Sequence, residues 1–226
     1  MPRPVVLDMD GVLVDSEPLN EAAFRAYVSS VRRPELSGWF SNTLGRREVD
    51  FLPDLAAELG RPAPEISAAL AAELEAVLAE AELTAMPFVS EAVARLAAGG
   101  RIVGLASSSR RAFVDRVLEA LGLSGVFAAI ATGDEVARGK PDPEIYELVA
   151  RRLAVPAAEC VAVEDTPAGL AAAAAAGMTT IAVPNALTAR LDLSDADAVA
   201  SDLREAVELV IRLDGTPGGR LADATV

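Results

Sequence analysis

The chain has 226 residues, a formal net charge of −14 and a sequence pI near 4.4. Such an acidic chain repels polyanions, so neither nucleic acid nor an anionic membrane surface is expected as a partner. The chain contains no histidine and one cysteine, Cys160, which excludes Ser–His–Asp and Cys–His catalysis, a His-ligated zinc site and a disulfide within the chain.

The first predicted element is a short buried strand over residues 4–8, in which apolar and β-branched residues run directly into Asp8 and, two positions later, Asp10. A block with helical periodicity follows. It begins near residue 16 and includes helical stretches at 48–59 and 64–83, which the turn sequence GRPAPE separates.

From residue 86 onward, strand-like and helical segments alternate. The predicted helices lie at 90–100, 110–123, 141–155, 166–177 and 202–213, and the predicted strands at 101–109, 126–131, 160–165, 179–183 and 197–200. This alternation indicates βαβ units and a mostly parallel sheet, so the predicted fold class is α/β. We interpret residues 16–85 as an all-helical insertion into a core formed by 1–15 and 86–226. The sequence of residues 214–226, DGTPGGRLADATV, predicts a loose tail.

The chain lacks the patterns of membrane proteins and secreted proteins. No stretch of about 18 apolar residues is free of charge, so no membrane span is expected. The start, MPRPVVLDMD, leads directly into a strand pattern and does not resemble a signal peptide. Together with the single cysteine, these features predict a cytoplasmic location.

Polar and charged residues follow the predicted strands where each strand ends. They are Asp8 and Asp10 after the first strand, Ser107, Ser108 and Ser109 after the second, Lys140 after the third, and Glu164 and Asp165 after the fourth. Parallel α/β sheets bind ligands beyond the carboxyl ends of their strands. Singly, each of these residues fits an ordinary cap, turn or surface position. Together, these residues would meet at the carboxyl edge of the sheet, which we call the rim. Carboxylates crowded at the rim repel each other unless a cation holds them.

The donor types at this rim favour magnesium over zinc, because hard oxygen ligands without histidine or cysteine suit magnesium. A carboxylate nucleophile can attack the phosphorus of a metal-bound phosphate group. A hydroxyl and a lysine would neutralise the transferring group, and a second acid would protonate the leaving oxygen and later deprotonate water. The sequence therefore predicts phosphoryl transfer with Mg²⁺ as the cofactor.

Four motifs carry a resemblance to a known family. In their order along the chain, DMDGV, the strand-end Ser107, KPDP and VEDTPAGLAAAAAAGM resemble the haloacid dehalogenase superfamily of aspartate-nucleophile phosphotransferases. DMDGVLVDSEP with the early helical insertion is similar to the branch that holds β-phosphoglucomutase and many sugar-phosphate phosphatases. The resemblance covers about residues 4–200. It implies a Rossmann-like three-layer core with a parallel sheet and a helical cap over 16–85, with the first strand between those that carry Ser107 and Asp165.

The resemblance implies that Asp8 is the nucleophile and a magnesium ligand. It implies that Asp10 is the general acid/base, whose main-chain carbonyl also binds magnesium. True dehalogenases do not need an acid at this position and usually lack one, so Asp10 favours phosphoryl transfer over carbon–halogen cleavage. Phosphonate cleavage in this family uses a cap lysine, whereas Lys140 is the only lysine of the chain and lies outside 16–85. Phosphonate cleavage is therefore not expected.

The remaining rim residues also receive roles from the resemblance. Ser107, with its neighbour Ser108, and Lys140 are expected to hold the transferring phosphoryl group. Asp165 is an expected magnesium ligand. Glu164 is expected either to bind magnesium directly or to support a group that does.

The segment NTLGRRE of the predicted cap is similar to a glycine-containing basic segment that reaches the substrate in the related branch. Gly45, Arg46 and Arg47 are therefore candidates for binding the leaving group or a second anionic group, and a simple surface charge is the alternative for each arginine. Asn20 occupies a place where relatives often have histidine. Asparagine cannot titrate near neutral pH, which favours hydrolysis over a mutase reaction.

Two enzyme functions and one binding function follow from these patterns. The first is magnesium-dependent hydrolysis of a small phosphomonoester, such as a sugar phosphate, through an aspartyl-phosphate intermediate in a monomeric protein. The second is a phosphosugar mutase of the β-phosphoglucomutase type, which would return the phosphoryl group to a sugar. The third is a non-catalytic protein that binds a phosphorylated ligand. The intact rim, above all Asp8 and Asp10, argues against the third.

Overall fold

The structure is a computed structural model that describes residues 2–214. Its strands are β1 (Val5–Leu7), β2 (Val103–Ser107), β3 (Ala129–Thr132), β4 (Val161–Glu164), β5 (Thr179–Ala182) and β6 (Ala198–Val199). Its helices are α1 (Glu17–Ser30), α2 (Glu48–Leu59), α3 (Ala63–Glu80), α4 (Val89–Ala98), α5 (Arg111–Ala120), α6 (Glu144–Leu153), α7 (Pro167–Ala175) and α8 (Leu203–Asp214). The strands form a six-stranded parallel sheet in the order β3-β2-β1-β4-β5-β6.

β1 anchors the centre of the sheet. Its three residues are fully buried, and it pairs in parallel with both β2 and β4. Val6 packs in a cluster with residues of α6 and α7, whereas Val5 and Leu7 pack in another cluster with residues of α4, α5 and α8. Successive side chains of a strand point to opposite faces, so helices cover both faces and the core has three layers. Asp8 follows β1 directly at the carboxyl edge.

The alanine-rich α7 packs closely on the sheet because its small side chains allow a short approach. Ala172 and Ala173 are fully buried, and the helix contacts β4 and β5. Thr166 caps the helix, since its side chain accepts a hydrogen bond from the main-chain N–H of Gly169 at 3.1 Å. Pro167 stands in the first helical turn, where its missing N–H costs nothing. The helix start next to Asp165 is thereby fixed.

A helical region, residues 17–80, lies between β1 and the rest of the sheet in the sequence. It contains α1, α2, α3 and a 3-10 helix over Pro34–Asn42. The apolar side chains of this region form their own hydrophobic cluster, around Phe24, Phe51 and Leu55. The all-helical character of the region is confirmed. The boundaries at 15/16 and 85/86, and the status of the region as a separate domain, stay predictions.

The chain passes between the core and the helical region twice, and the two crossings lie side by side. The main-chain N–H of Asp15 donates to the carbonyl of Thr84 at 2.9 Å, and that of Met86 donates to the carbonyl of Leu13 at 2.9 Å. Val14 and Ala85 form an antiparallel bridge between the same two segments. The chain therefore leaves and re-enters the core at one place.

The α/β fold with a parallel sheet is confirmed, as is the predicted position of β1 between the strands that end at Ser107 and Glu164. None of the described helices combines the length and the apolar character needed to cross a membrane. The loose tail predicted for 214–226 lies outside the described residues, apart from Asp214, which ends α8. The cytoplasmic location and the monomeric state stay predictions.

Gly104 of β2 provides a test of the packing between the sheet and α6. A Cβ atom at Gly104 would lie 2.6 Å from Val149 Cγ1, which is closer than packed carbon atoms allow. Alanine ordinarily stabilises a strand relative to glycine, yet here we expect Gly104→Ala to lower the free energy of unfolding by about 1–3 kcal/mol. Urea denaturation followed by circular dichroism measures the change.

Two further variants control this measurement. Val149→Ala removes the clashing methyl group, so the double variant should lose less stability than the two single losses added together. Gly38→Ala places a Cβ where no heavy atom lies within 4 Å, and it should change stability little. A gain in stability for Gly104→Ala would contradict the described packing.

Candidate active site

A buried ion-pair network stands at the carboxyl edge of the sheet, where Lys140 lies between two carboxylates. Lys140 Nζ lies 2.5 Å from Asp8 Oδ1 and 2.6 Å from Glu164 Oε1. All three side chains are more than nine-tenths buried. Asp8 follows β1, Glu164 ends β4, and Lys140 lies in the loop before α6. The predicted meeting of these three residues is therefore observed.

The network fixes the charge of its members. Burial raises the pKa of Asp8 well above its ordinary value, although the attraction of Lys140 opposes this. Burial alone would lower the pKa of Lys140, but the charges of Asp8 and Glu164 outweigh it and raise that pKa. Burial also works to raise the pKa of Glu164, yet Lys140 and other donors lower it below its ordinary value. Lys140 is thus a cation and Glu164 an anion at neutral pH.

Glu164 uses both of its carboxylate oxygens inside the protein. Oε1 accepts hydrogen bonds from Lys140 Nζ and, at 3.0 Å, from the hydroxyl of Tyr146. Oε2 accepts from the main-chain N–H groups of Asp165 and Thr166 at 2.9 and 3.0 Å, and from the Thr166 hydroxyl at 3.0 Å. These contacts orient Lys140 and hold the start of α7 against the rim.

Asp165 is buried beside the network, and one of its oxygens has no partner. Oδ2 accepts a hydrogen bond from Asn185 Nδ2 at 2.8 Å, whereas the buried Oδ1 has no hydrogen-bond partner among residues 2–214. Burial, and then the charges of Glu164 and Asp8, raise the pKa of Asp165 well above its ordinary value. An unpaired buried carboxylate of this kind requires a cation or a proton.

The cluster of Asp8, Glu164 and Asp165 fits a divalent cation that prefers oxygen ligands. One carboxylate oxygen of each residue lies within 4.8 Å of the others, and all three residues are buried. The unpaired Oδ1 of Asp165 and the raised pKa values of Asp8 and Asp165 both indicate missing positive charge. Because the oxygens of Glu164 already accept hydrogen bonds, Asp8 and Asp165 are the better candidate ligands.

Gly11 lets the turn after Asp8 approach Asp165 closely. Its φ of 80° lies in the left-handed region that favours glycine. A Cβ at Gly11 would lie 2.2 Å from Asp165 Oδ2 and 2.6 Å from Asn185 Nδ2. Asn185 Nδ2 also donates to the carbonyl of Gly11 at 3.3 Å. The glycine of the DMDGV motif is therefore required by both the turn and the neighbouring acid.

Asp10 is held by three hydroxyl groups. Ser16 Oγ donates to Asp10 Oδ1 at 2.5 Å. Ser107 Oγ and Ser109 Oγ donate to Asp10 Oδ2 at 3.3 and 3.0 Å. Ser16 immediately precedes α1, so it links Asp10 to the start of the helical region, and the other two serines follow or end β2. The carboxyl group is fixed in orientation on the same turn as Asp8.

The helical region touches the rim through the segment around Gly45. Ser108 Oγ donates to the carbonyl of Gly45 at 3.1 Å. A Cβ at Gly45 would lie 2.8 Å from Thr166 Oγ1, so the main chain of this segment lies directly against the loop after β4. The predicted cap segment therefore contacts the loops after both β2 and β4.

The two neighbouring arginines differ in their surroundings. Arg46 keeps 32% of its side chain exposed and donates through NH2 to the carbonyl of Asp50 at 2.6 Å. Arg47 is buried, pairs with the carboxylate of Asp50 at 2.6 Å, and donates to the core carbonyls of Gly133 and Val136. Arg47 thus connects the helical region with the core. The role of either arginine in binding the leaving group stays a prediction.

A cavity of about 710 Å³ lies between the rim and the helical region. The predicted site residues that line it are Asp8, Asp10, Asn20, Gly45, Arg46, Arg47, Ser108, Lys140, Glu164 and Asp165. Ser107 does not line it, because its side chain is fully buried and reaches the rim through its hydrogen bond to Asp10. The structure therefore brings the predicted residues to one cavity, with Ser107 behind its wall.

The comparison with known families agrees with this geometry. The sequence model described as haloacid dehalogenase-like hydrolase matches residues 3–177, which is more than half of the chain. The chain belongs to the haloacid dehalogenase-like hydrolases. The resemblance carried by the four motifs is thereby confirmed.

Named relatives of this hydrolase include two phosphatases. Hexitol phosphatase B of Escherichia coli (strain K12) is 35% identical over 188 residues, which cover 79% of this chain and 82% of that protein. The phosphorylated carbohydrates phosphatase of Thermotoga maritima is 35% identical over 199 residues, which cover 87% and 92%. A CbbY mutant from Rhodobacter sphaeroides, solved in complex with xylulose-(1,5)bisphosphate, matches with a TM-score of 0.75 at 27% identity over 91% of this chain and 96% of that one.

Three side chains complete the site of this hydrolase although the sequence patterns do not single them out. Tyr146 lies on the buried face of α6, where apolar periodicity predicts only core packing. Ser16 belongs to the DSEP segment, whose pattern indicates only the entry to a helix. Asn185 follows β5, and its position after a strand end is the one signal that points to it.

Tyr146→Phe tests how far Glu164 depends on its donors. The variant keeps the ring but removes the hydroxyl that lies 3.0 Å from Glu164 Oε1. A buried anion that loses one donor is destabilised, so we expect the free energy of unfolding to fall by about 1–3 kcal/mol. Urea denaturation measures the loss. Unchanged stability would show that the hydroxyl is not needed to hold Glu164 as an anion.

Proposed function

We propose that this chain is a magnesium-dependent phosphatase that hydrolyses a small phosphomonoester, a sugar phosphate or a similar metabolite, through an aspartyl-phosphate intermediate. The observation that carries the proposal is the placement of Asp8 and Asp10 on one turn, with Lys140 bonded to Asp8, at the wall of the cavity between the rim and the helical region. The hydrolase family and the relatives named as phosphatases of hexitols and phosphorylated carbohydrates support this substrate class.

Asp8 supplies the nucleophile in the first half of the proposed reaction. One of its carboxylate oxygens attacks the phosphorus of the ester, and the bond between phosphorus and the leaving oxygen breaks. Asp10 donates a proton to that leaving oxygen, so the alcohol departs uncharged. The hydroxyls of Ser16, Ser107 and Ser109 hold the Asp10 carboxyl group in one orientation during this transfer.

Water releases the phosphate in the second half. Asp10, now ionised, takes a proton from a water molecule, whose oxygen attacks the phosphorus of the aspartyl phosphate. The bond between phosphorus and the Asp8 oxygen breaks, so inorganic phosphate forms and Asp8 recovers its carboxylate. Lys140 binds and neutralises the phosphoryl oxygens throughout. For Ser107 or Ser108 to bind the phosphoryl group as well, its hydroxyl would have to turn away from Asp10 or from the carbonyl of Gly45.

Asp8 and Asp165 would hold the magnesium ion, together with the main-chain carbonyl of Asp10. When bound, Mg²⁺ supplies positive charge that neutralises the transferring phosphoryl group. Glu164 acts here as the support of Lys140, since its two oxygens already accept hydrogen bonds. Asp165, in contrast, keeps Oδ1 without a hydrogen-bond partner among the described residues, so this oxygen is free to bind the ion.

The helical region forms the side of the cavity opposite the acids. Ser108 bonds to the carbonyl of Gly45, and Arg47 bonds to the loop that contains Gly133 and Val136. A covered cavity excludes bulk water and strengthens electrostatic interactions inside it. It also suits a small metabolite better than a phosphorylated protein.

Asp8→Asn tests the covalent mechanism. Because an amide is a poor nucleophile toward phosphorus, we expect the variant to lower kcat by at least about 10³-fold. The measurement is inorganic phosphate released from a panel of sugar phosphates in the presence of Mg²⁺. Asp195→Asn makes the same change at an exposed position and should keep the wild-type rate. Near-normal rates for Asp8→Asn would contradict the aspartyl-phosphate intermediate.

Metal removal tests the proposed cofactor. A chelator should abolish phosphate release by the wild-type protein, and added Mg²⁺ should restore it, because the ion would supply the positive charge that neutralises the transferring phosphoryl group. Turnover that persists at full rate in the chelator would contradict magnesium dependence.

The same assay separates the three candidate functions. A phosphatase releases inorganic phosphate. Conversion of β-glucose 1-phosphate to the 6-phosphate with a bisphosphate primer, without release of phosphate, would favour the mutase. Absence of magnesium-dependent turnover over a broad panel would favour a non-catalytic protein that binds a phosphorylated ligand.

A further inference from the structure

Arg47 uses all of its N–H donors on groups of the protein. Nε and NH2 donate to the two carboxylate oxygens of Asp50 at 2.6 and 2.7 Å. NH1 donates to the carbonyls of Gly133 and Val136 at 3.2 and 2.7 Å, and NH2 donates in addition to the carbonyl of Ala137 at 3.1 Å. A guanidinium has five N–H groups, so none is left for an anion of the substrate.

The core forms a fitted slot for the ion pair of Arg47 and Asp50. A Cβ at Gly139 would lie 2.3 Å from Asp50 Oδ2 and 2.4 Å from Arg47 Nε, and a Cβ at Gly133 would lie 3.2 Å from Arg47 Cδ. The pair fits because neither glycine carries a side chain. Moving Arg47 toward a ligand would leave a carboxylate and main-chain carbonyls without their donors, which disfavours the move.

The other cations that line the cavity are also paired with acids. Lys140 lies between two carboxylates, Arg110 NH2 lies 3.3 Å from Glu48 Oε2, and Arg46 NH2 lies 3.3 Å from Asp54 Oδ2. Among the described residues that line the cavity, eight are acidic and four are basic. A divalent cation and one phosphoryl group suit this balance, whereas a second anion would enter a cavity in which acidic residues outnumber basic ones.

The wall that the helical region contributes contains an apolar patch. Phe24 of α1, Phe51 of α2, and Leu70 and Leu74 of α3 line this side of the cavity. An uncharged leaving group with some apolar surface suits this wall. A second phosphate or a carboxylate placed against it would lose its hydration without gaining a partner.

From these contacts we propose that the cavity selects phosphomonoesters with an uncharged leaving group and rejects bisphosphates and phosphorylated acids. The proposal rests on the proposed phosphatase function and narrows its substrate class. It separates this chain from the CbbY relative, whose solved complex holds a bisphosphate. The selectivity comes from the unpaired charge that the rejected substrates would bring into the cavity.

Steady-state kinetics with Mg²⁺ test the proposal. Sorbitol 6-phosphate serves as the uncharged case, fructose 1,6-bisphosphate as the bisphosphate and 6-phosphogluconate as the phosphorylated acid. We expect kcat/KM for sorbitol 6-phosphate to exceed both others by about 100-fold, because like charges placed together without partners are strongly disfavoured. Equal values, or a preference for either charged substrate, would overturn the proposal.

Asp50→Asn tests the part played by the Arg47 slot. The variant keeps the shape of the side chain but removes its charge and one acceptor, so one N–H group of Arg47 becomes available to an anion. We expect the ratio of kcat/KM for the bisphosphate over the monophosphate to rise about tenfold. Glu58→Gln is the matched control, since it removes one charge from an exposed position of the same helix, 3.8 Å from Arg33. The same ratio in both variants would overturn the role of the slot, and circular dichroism confirms that each variant folds.

Binding to the Asp8→Asn variant separates this proposal from the proposed function. Isothermal titration calorimetry with Mg²⁺ compares the affinities for sorbitol 6-phosphate and fructose 1,6-bisphosphate without turnover. We expect the monophosphate to bind more tightly, by at least about tenfold. Tighter binding of the bisphosphate would overturn the selectivity alone. Failure of the wild-type protein to hydrolyse any ester would contradict the phosphatase, and the binding comparison would then decide the selectivity.

Discussion

The ammonium group of Lys140, enclosed between Asp8 and Glu164, is the interaction on which the site depends. Three charges removed from water are costly unless each one is paired and hydrogen-bonded. Here the costs are offset because the strands β1 and β4 are neighbours, so that Asp8, directly after β1, and Glu164, at the end of β4, reach one ammonium from two sides. Without Lys140, two buried carboxylates would face each other at the carboxyl edge. The same contact holds the edge together and orients the carboxylate that we propose as the nucleophile.

The acids of the rim differ in how far the protein satisfies them. Glu164 accepts hydrogen bonds on both oxygens, whereas Asp165 keeps a buried oxygen without a partner among the described residues. The residue types are nearly equivalent, so hydrogen bonding alone distinguishes an acid that supports its neighbours from an acid that has a free oxygen for a cation. Asn185 strengthens this contrast, because it holds the other oxygen of Asp165 by a hydrogen bond at 2.8 Å.

The meeting of Asp8, Lys140, Glu164 and Asp165 could be predicted from the sequence because of one general rule, namely that parallel strands end at a common edge. The commitment of Arg47 could not be predicted in this way. Its partners in the core are main-chain carbonyls 86 to 90 residues away along the chain. Every residue has a main-chain carbonyl, so the sequence does not indicate which of them an arginine will contact. For the same reason the sequence does not show that Arg47 has partners in the core. The hydrogen bond from the Tyr146 hydroxyl to Glu164 could not be predicted for another reason. A buried aromatic residue in an amphipathic helix indicates only packing.

The adjacent chain crossings at Asp15–Thr84 and Leu13–Met86 have a consequence for how far the length of the helical region can vary. The two ends of the helical region are hydrogen-bonded to each other. The connection to the sheet is therefore as short as that of a tight turn, whatever the length of the region. The entropy of closing such a loop grows only slowly with its length, so a shorter or longer lid can be exchanged at this point with little thermodynamic penalty. The register of β1 does not have to change when the lid does. The edge that carries the candidate site can therefore stay intact while the region above it differs in length.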